Sequence, residues 1–160
     1  MSALRSVKVV YSNVQRDPSS NSARWLRWAQ EDLKAAEHIA DDDEVVPRAA
    51  CVFAHQAAEK ALKGPLVARN TDPPKLHDLD RLVARLPEED NERFDSIDLP
   101  ELTRWAIEGR YPDDAEEATP ADARRSIALA AAVVAAVRQA MVQIAKAPSG
   151  SPGTDGIETA

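Results

Sequence analysis

The chain has 160 residues and a formal net charge of −7, with 44% apolar but only 4% aromatic residues. That length suits one domain with one core, and an apolar content made mostly of Ala, Leu and Val favours close-packed helices over a β-sandwich. The single cysteine, Cys51, excludes an intramolecular disulfide and a multi-cysteine metal site, and the net acidity excludes wide, non-specific coating of nucleic acid, whose affinity comes from displaced phosphate counterions.

The charge is uneven along the chain. Residues 48–85 hold seven Lys/Arg against four Asp/Glu, a net of +3, whereas residues 86–122 hold three against thirteen, a net of −10. A polyanion is expected to meet the first of these segments. No uninterrupted apolar run reaches the roughly 18 to 20 residues of a membrane span, and Met1 to Ser20 lacks a basic stretch leading into an apolar one. A cytoplasmic protein without a membrane segment is expected, and Cys51, inside an apolar run, reads as a buried thiol in a reducing compartment.

Residues 1–21 form a lead-in, with a short β-like run from Val7 to Tyr11 and a turn-prone Asp17-Pro18-Ser19-Ser20. Asn21-Ser22 is suited to cap a helix from about Ala23, along which Leu26, Ala29, Leu33, Ala36 and Ile39 recur at three- and four-residue steps. The acidic run Asp41 to Glu44 ends it. A second helix, Pro47 to about Ala68, is apolar on more than one side and is expected at the centre, with Gly64-Pro65 kinking or breaking it. After a loop at Asn70 to Pro74 come two shorter helices, from about Asp78 to Leu86 and from about Pro100 to Glu108. Thr119-Pro120-Ala121-Asp122 then supplies a capping hydroxyl, a first-turn proline and an N3 carboxylate for a long last helix to about Lys146. Residues 148–160, rich in Pro, Gly, Ser and Thr, read as a disordered tail. The expected fold is an all-α, up-and-down bundle of four to five helices over residues 22–147.

The run from Ala50 to Lys63, ACVFAHQAAEKALK, resembles the signature helix of HEPN domains of the kind associated with minimal nucleotidyltransferases. Trp25-Leu26 with Ala29, Asp32-Leu33 and Ala36, then Leu76-His77-Asp78-Leu79, then Gly109-Arg110-Tyr111-Pro112 follow in that family's order. The resemblance implies a helical bundle, frequently a homodimer, working beside a nucleotidyltransferase antitoxin. Some members are metal-independent RNases that act as toxins; others bind nucleotides or assist a partner without cutting. Active members carry an Arg followed after four to six residues by a His, a pattern met here by Arg48 and His55.

Seven residues are almost two helical turns, so Arg48 and His55 share a helix face about 10 Å apart along the axis. A bare pair at that distance does not grip one phosphate, but a two-fold dimer would offer two His and two Arg to a composite site. Imidazole and guanidinium suit RNA cleavage by the 2′-hydroxyl, which needs a proton acceptor, a proton donor and positive charge on the phosphorane. The alternative is that Arg48 pairs with the acidic run Asp41 to Glu44 while His55 is a partly buried hydrogen-bonding residue. Glu59 and Lys63 continue the line of His55 at four-residue steps, either as a solvated ion pair or as groups that orient His55 and attract phosphate. Lys60 reads as a surface cation, and Asp32, among apolar positions, calls for a partner such as Arg or His. His77 has a packing or capping place before Asp78, with ligand contact as the alternative. Arg110, with Tyr111 beside it, either pairs with Asp113 or Asp114 or points into a dimer cleft. His38, His55 and His77 have no close His or Cys companion, so no metal site or cofactor is expected.

Overall fold

Alanine fills many of the buried positions of the first two helices. Ala29 and Ala36 on α1 (Pro18–Ala40) and Ala54, Ala58 and Ala61 on α2 (Pro47–Ala68) are fully buried, and such short side chains let helix axes approach closely. The computed structural model describes residues 18–107 and 117–146, which are helices and their connections without a strand among them. After α2 come α3 (Leu79–Val83), α4 (Glu88–Asn91), a 3₁₀ turn (Glu92–Phe94), α5 (Leu99–Ile107) and α6 (Pro120–Lys146). The bundle expected from the periodicity is present; α4 and the 3₁₀ turn are additions in a segment whose apolar residues are too sparse to announce a helix.

α1 begins about one turn earlier than its capping residues suggested. Ser22, read as a cap, lies inside the helix and is 1% exposed. The reason is tertiary. A Cβ at Gly64 would lie 3.6 Å from the Ser22 carbonyl oxygen and 3.9 Å from Trp25 Cβ, so the first turns of α1 pack on the end of α2 and are held helical there.

α2 is central as expected, covered by α1 on one side and by α6 and α5 on others. It does not break at Gly64-Pro65. Proline there removes one backbone donor, but its ring is fully buried, and apolar burial offsets that cost. The helix ends instead at a left-handed Asn70 (φ 56°). The Asn70 N–H donates to Val67 O at 3.0 Å and the Thr71 N–H to Leu66 O at 3.0 Å, the paired bonds of a Schellman cap. Leu62, Leu66, Leu79, Leu82, Leu102, Val133 and Val137 belong to the main core around α2, and Ala50, Cys51, Trp105 and Ala123 form a second buried cluster.

The remaining caps follow the sequence. Asp78 Oδ1 accepts from Arg81 N (3.0 Å) at the start of α3, and Thr119 and Asp122 bond reciprocally at the start of α6 (Asp122 N to Thr119 Oγ1 3.2 Å, Thr119 N to Asp122 Oδ2 2.8 Å). By length and composition α6 is long and apolar enough to cross a membrane, a point that counting uninterrupted apolar residues missed. Its apolar content has a use within the bundle: Ala130, Val133, Val134, Val137 and Ala140 are buried in the core.

Candidate functional site

His55, Glu59 and Lys63 stand at successive four-residue steps on α2 and form one line along it. That line faces Trp25 of α1 and the segment leading into α3, and the segment contributes His77. The sequence reading placed His55, Glu59 and Lys63 together; it did not bring His77 to them.

His55 is 2% exposed, and its Nε2–H donates to the His77 backbone carbonyl at 2.8 Å. That bond assigns the proton to Nε2, leaving Nδ1 toward Glu59 Oε2 at 4.0 Å, too far for a hydrogen bond. Burial pushes the imidazole below its ordinary range, and the His77 carbonyl and the Glu59 charge offset this only in part. At neutral pH His55 is therefore uncharged, and the Glu59 contact is not an ion pair.

Glu59 is the hub. Its Oε1 accepts from Lys63 Nζ at 2.6 Å, and its Oε2 accepts from His77 Nδ1 at 2.9 Å. Burial raises its affinity for a proton, but the hydrogen bonds from Lys63 and His77 outweigh that and hold the carboxyl below its ordinary range. Lys63 is itself largely buried, with its ammonium 6.0 Å from the centre of the Trp25 ring. An ion pair inside a helix junction, not a solvated surface pair, is the right description of Glu59 and Lys63.

Beside this cluster Lys60 Nζ donates to Asp32 Oδ2 across the α1–α2 seam. The partner that Asp32 required is thus a lysine, and Lys60 is an interhelical tie and not a simple surface cation. Arg48, exposed in the first turn of α2, sits about 10 Å from His55 by helical rise, so the two are not one contact site within a chain. Arg110 and Tyr111 lie outside the described residues. Cys51 is fully buried and burial pushes its thiol up, which suits an inert packing role. No group of three His, Cys, Asp or Glu side chains among the described residues is arranged to hold a metal ion.

The assembled chemistry is one imidazole bonded to a carboxylate, an ammonium fixing that carboxylate, and a second imidazole holding the backbone of the first. One imidazole is sealed in; the other, His77, has a side chain 60% exposed. The sequence marks His77, with ligand contact among its readings, but does not join it to Glu59 and His55, because 18 and 22 residues separate it from them and no helical spacing connects them.

The family model for the HEPN domain matches residues 22–140. The chain is similar to TT1696 from Thermus thermophilus, known from a crystal structure, with 29% identity and a TM-score of 0.61 over 74% of this chain and 97% of that one. It also shares its fold with ST0689, an archaeal HEPN homologue, at 24% identity and a TM-score of 0.58, over 75% of this chain and 97% of that one. No curated protein matches the chain.

Proposed function

Because the chain belongs to the HEPN domain family, we propose that it is the HEPN component of a toxin and antitoxin pair with a minimal nucleotidyltransferase, and that its activity is metal-independent RNA cleavage. The observation that carries the catalytic part is the proton-handling cluster: His77 bonds the Glu59 carboxylate, His55 bonds the His77 carbonyl, and the cluster opens to solvent at His77. An imidazole of this cluster, which His55 helps to form, suits proton abstraction from a 2′-hydroxyl, and Arg48, exposed on the same helix, suits charge on the phosphorane. Because Arg48 and His55 are about 10 Å apart, the proposal includes a homodimer in which one copy's arginine serves the other copy's cluster. Arg110 and Tyr111 are assigned to RNA binding together with Lys63 and Glu59.

The test is purified wild type, Arg48→Ala and His55→Ala incubated with mixed cellular RNA, with circular dichroism as the folding control. Cleavage is expected to fall by about two to four orders of magnitude in each variant, and chelator is expected to change little, since the proton and charge tasks are assigned to side chains. Equal degradation by all three proteins would remove Arg48 and His55 from the proposal.

A second reading has a specific observation in its favour. His55 is 2% exposed and its Nε2 proton is committed to a backbone carbonyl, which suits a structural tie in a non-catalytic nucleotide-binding or partner-assembly module. It predicts a folded wild type that leaves RNA intact yet still binds its nucleotidyltransferase.

A further inference from the structure

We infer that His77 is the imidazole that meets the ligand, as the outer member of a Glu59–His77 dyad, and that His55 stands behind it as a positioning residue. The ligand's identity as an RNA strand rests on the cleavage reading above; the dyad rests on geometry alone.

The His77 ring donates from Nδ1 to Glu59 Oε2 at 2.9 Å, which leaves Nε2 of the neutral ring without a proton. The side chain is 60% exposed, whereas Glu59, buried beneath it, is 13% exposed. A carboxylate behind one ring nitrogen fixes the tautomer and ring orientation, and steadies the imidazolium that forms when the other nitrogen takes a proton. The support is rigid. Lys63 pins Glu59 through its other oxygen, Oε1, at 2.6 Å. The His77 backbone is held by the His55 ring at 2.8 Å, and the two residues after it are fixed by the Asp78 cap on α3 and by the Leu79 N–H donating to the buried Thr103 Oγ1 at 3.3 Å. Exposed Lys75, two residues before His77, adds positive charge for a phosphate. His55 has none of this reach: it is sealed, and its proton is committed to holding the His77 carbonyl.

In the step this arrangement serves, His77 Nε2 takes the proton of an RNA 2′-hydroxyl. The 2′-oxygen forms a bond to the adjacent phosphorus as the bond from phosphorus to the 5′-oxygen breaks. The 5′-oxygen takes a proton from water, the hydroxide so formed takes the proton held on His77, the products are a 2′,3′-cyclic phosphate and a 5′-hydroxyl, and nothing is oxidised or reduced.

The experiment compares wild type, His77→Asn, His55→Gln and His55→Ala on single-stranded RNA. The Asn side chain keeps a donor for Glu59 but has no basic nitrogen, and the Gln side chain keeps a donor for the His77 carbonyl. We expect His77→Asn to lose at least about a hundredfold in kcat with KM and melting temperature near wild type, and His55→Gln to recover at least about tenfold in kcat over His55→Ala. Wild-type cleavage by His77→Asn, or a loss in His55→Gln as deep as in His55→Ala, overturns the inference. If wild type cuts no RNA, the cleavage reading fails by itself, and a second measurement judges the dyad: acylation of His77 by diethyl pyrocarbonate with and without a single-stranded 2′-O-methyl RNA. Protection of His77 upholds it as the ligand contact, and an unchanged acylation rate overturns it.

Discussion

Replacing His55 by Ala should destabilise the protein as well as any activity, and the size of the effect follows from what the ring touches. The side chain is 3% exposed and its Nε2–H satisfies the His77 carbonyl at 2.8 Å. Removing the donor costs about 1–3 kcal/mol if the carbonyl stays buried, less to the extent that water reaches it. Deleting a buried ring also leaves a cavity; large-to-small core changes cost about 2–5 kcal/mol, and a polar five-membered ring belongs at the lower end. Together these give a loss of about 2–4 kcal/mol, since the two costs overlap when the site collapses. His55→Gln refills much of the volume and restores an N–H donor, so it should recover about 1–2 kcal/mol of the loss. The assay is urea unfolding followed by circular dichroism at about pH 7.5, above the ordinary imidazole range. An Ala variant within about 0.5 kcal/mol of wild type, on the scale of an ordinary surface change, would refute the tie between His55 and the His77 carbonyl. So would a Gln variant no more stable than the Ala variant.

Two further outcomes follow from the buried charges. Burial holds His55 below the ordinary imidazole value of 6.5, so the folded state binds fewer protons than the unfolded chain; its contribution is full above pH 6.5 and is lost as pH falls through the folded value. Glu59 acts in the same direction lower down, contributing above its ordinary 4.5 and losing that contribution as pH falls through its depressed value. Urea midpoints should therefore decline from about pH 7 to about pH 5 more steeply in wild type than in His55→Gln, and parallel declines would contradict the assignment. Asp90, buried on α4, accepts from Arg69 Nη2 at 2.5 Å and Arg93 Nε at 3.3 Å, fastening the segment after α3 to the end of α2. Asp90→Ala should cost about 1–3 kcal/mol, because both arginines are partly exposed and regain water when the carboxylate is removed. A thermal melt unchanged from wild type would count against this clasp.

The sequence alone determined the helical elements whose causes are local. The three- and four-residue recurrence of Leu26, Ala29, Leu33 and Ala36 specified α1, and the reciprocal Thr119–Asp122 cap with Pro120 fixed the start of α6 to the residue, because such signals act within one or two turns. It also aligned His55, Glu59 and Lys63, since helical periodicity is a property of the chain itself. What it left open depends on distant neighbours. Pro65 read as a break because the cost of a proline inside a helix is local, while the burial that offsets it comes from packing. Ser22 read as a cap because its position against Gly64 of α2 is invisible along the chain. The pairing of Asp32 with Lys60, and above all the convergence of His77 on Glu59 and His55, were decided only by the tertiary structure: the loop after α2 turns back at the left-handed Asn70, and that turn returns His77 to Glu59, 18 residues behind it in the chain.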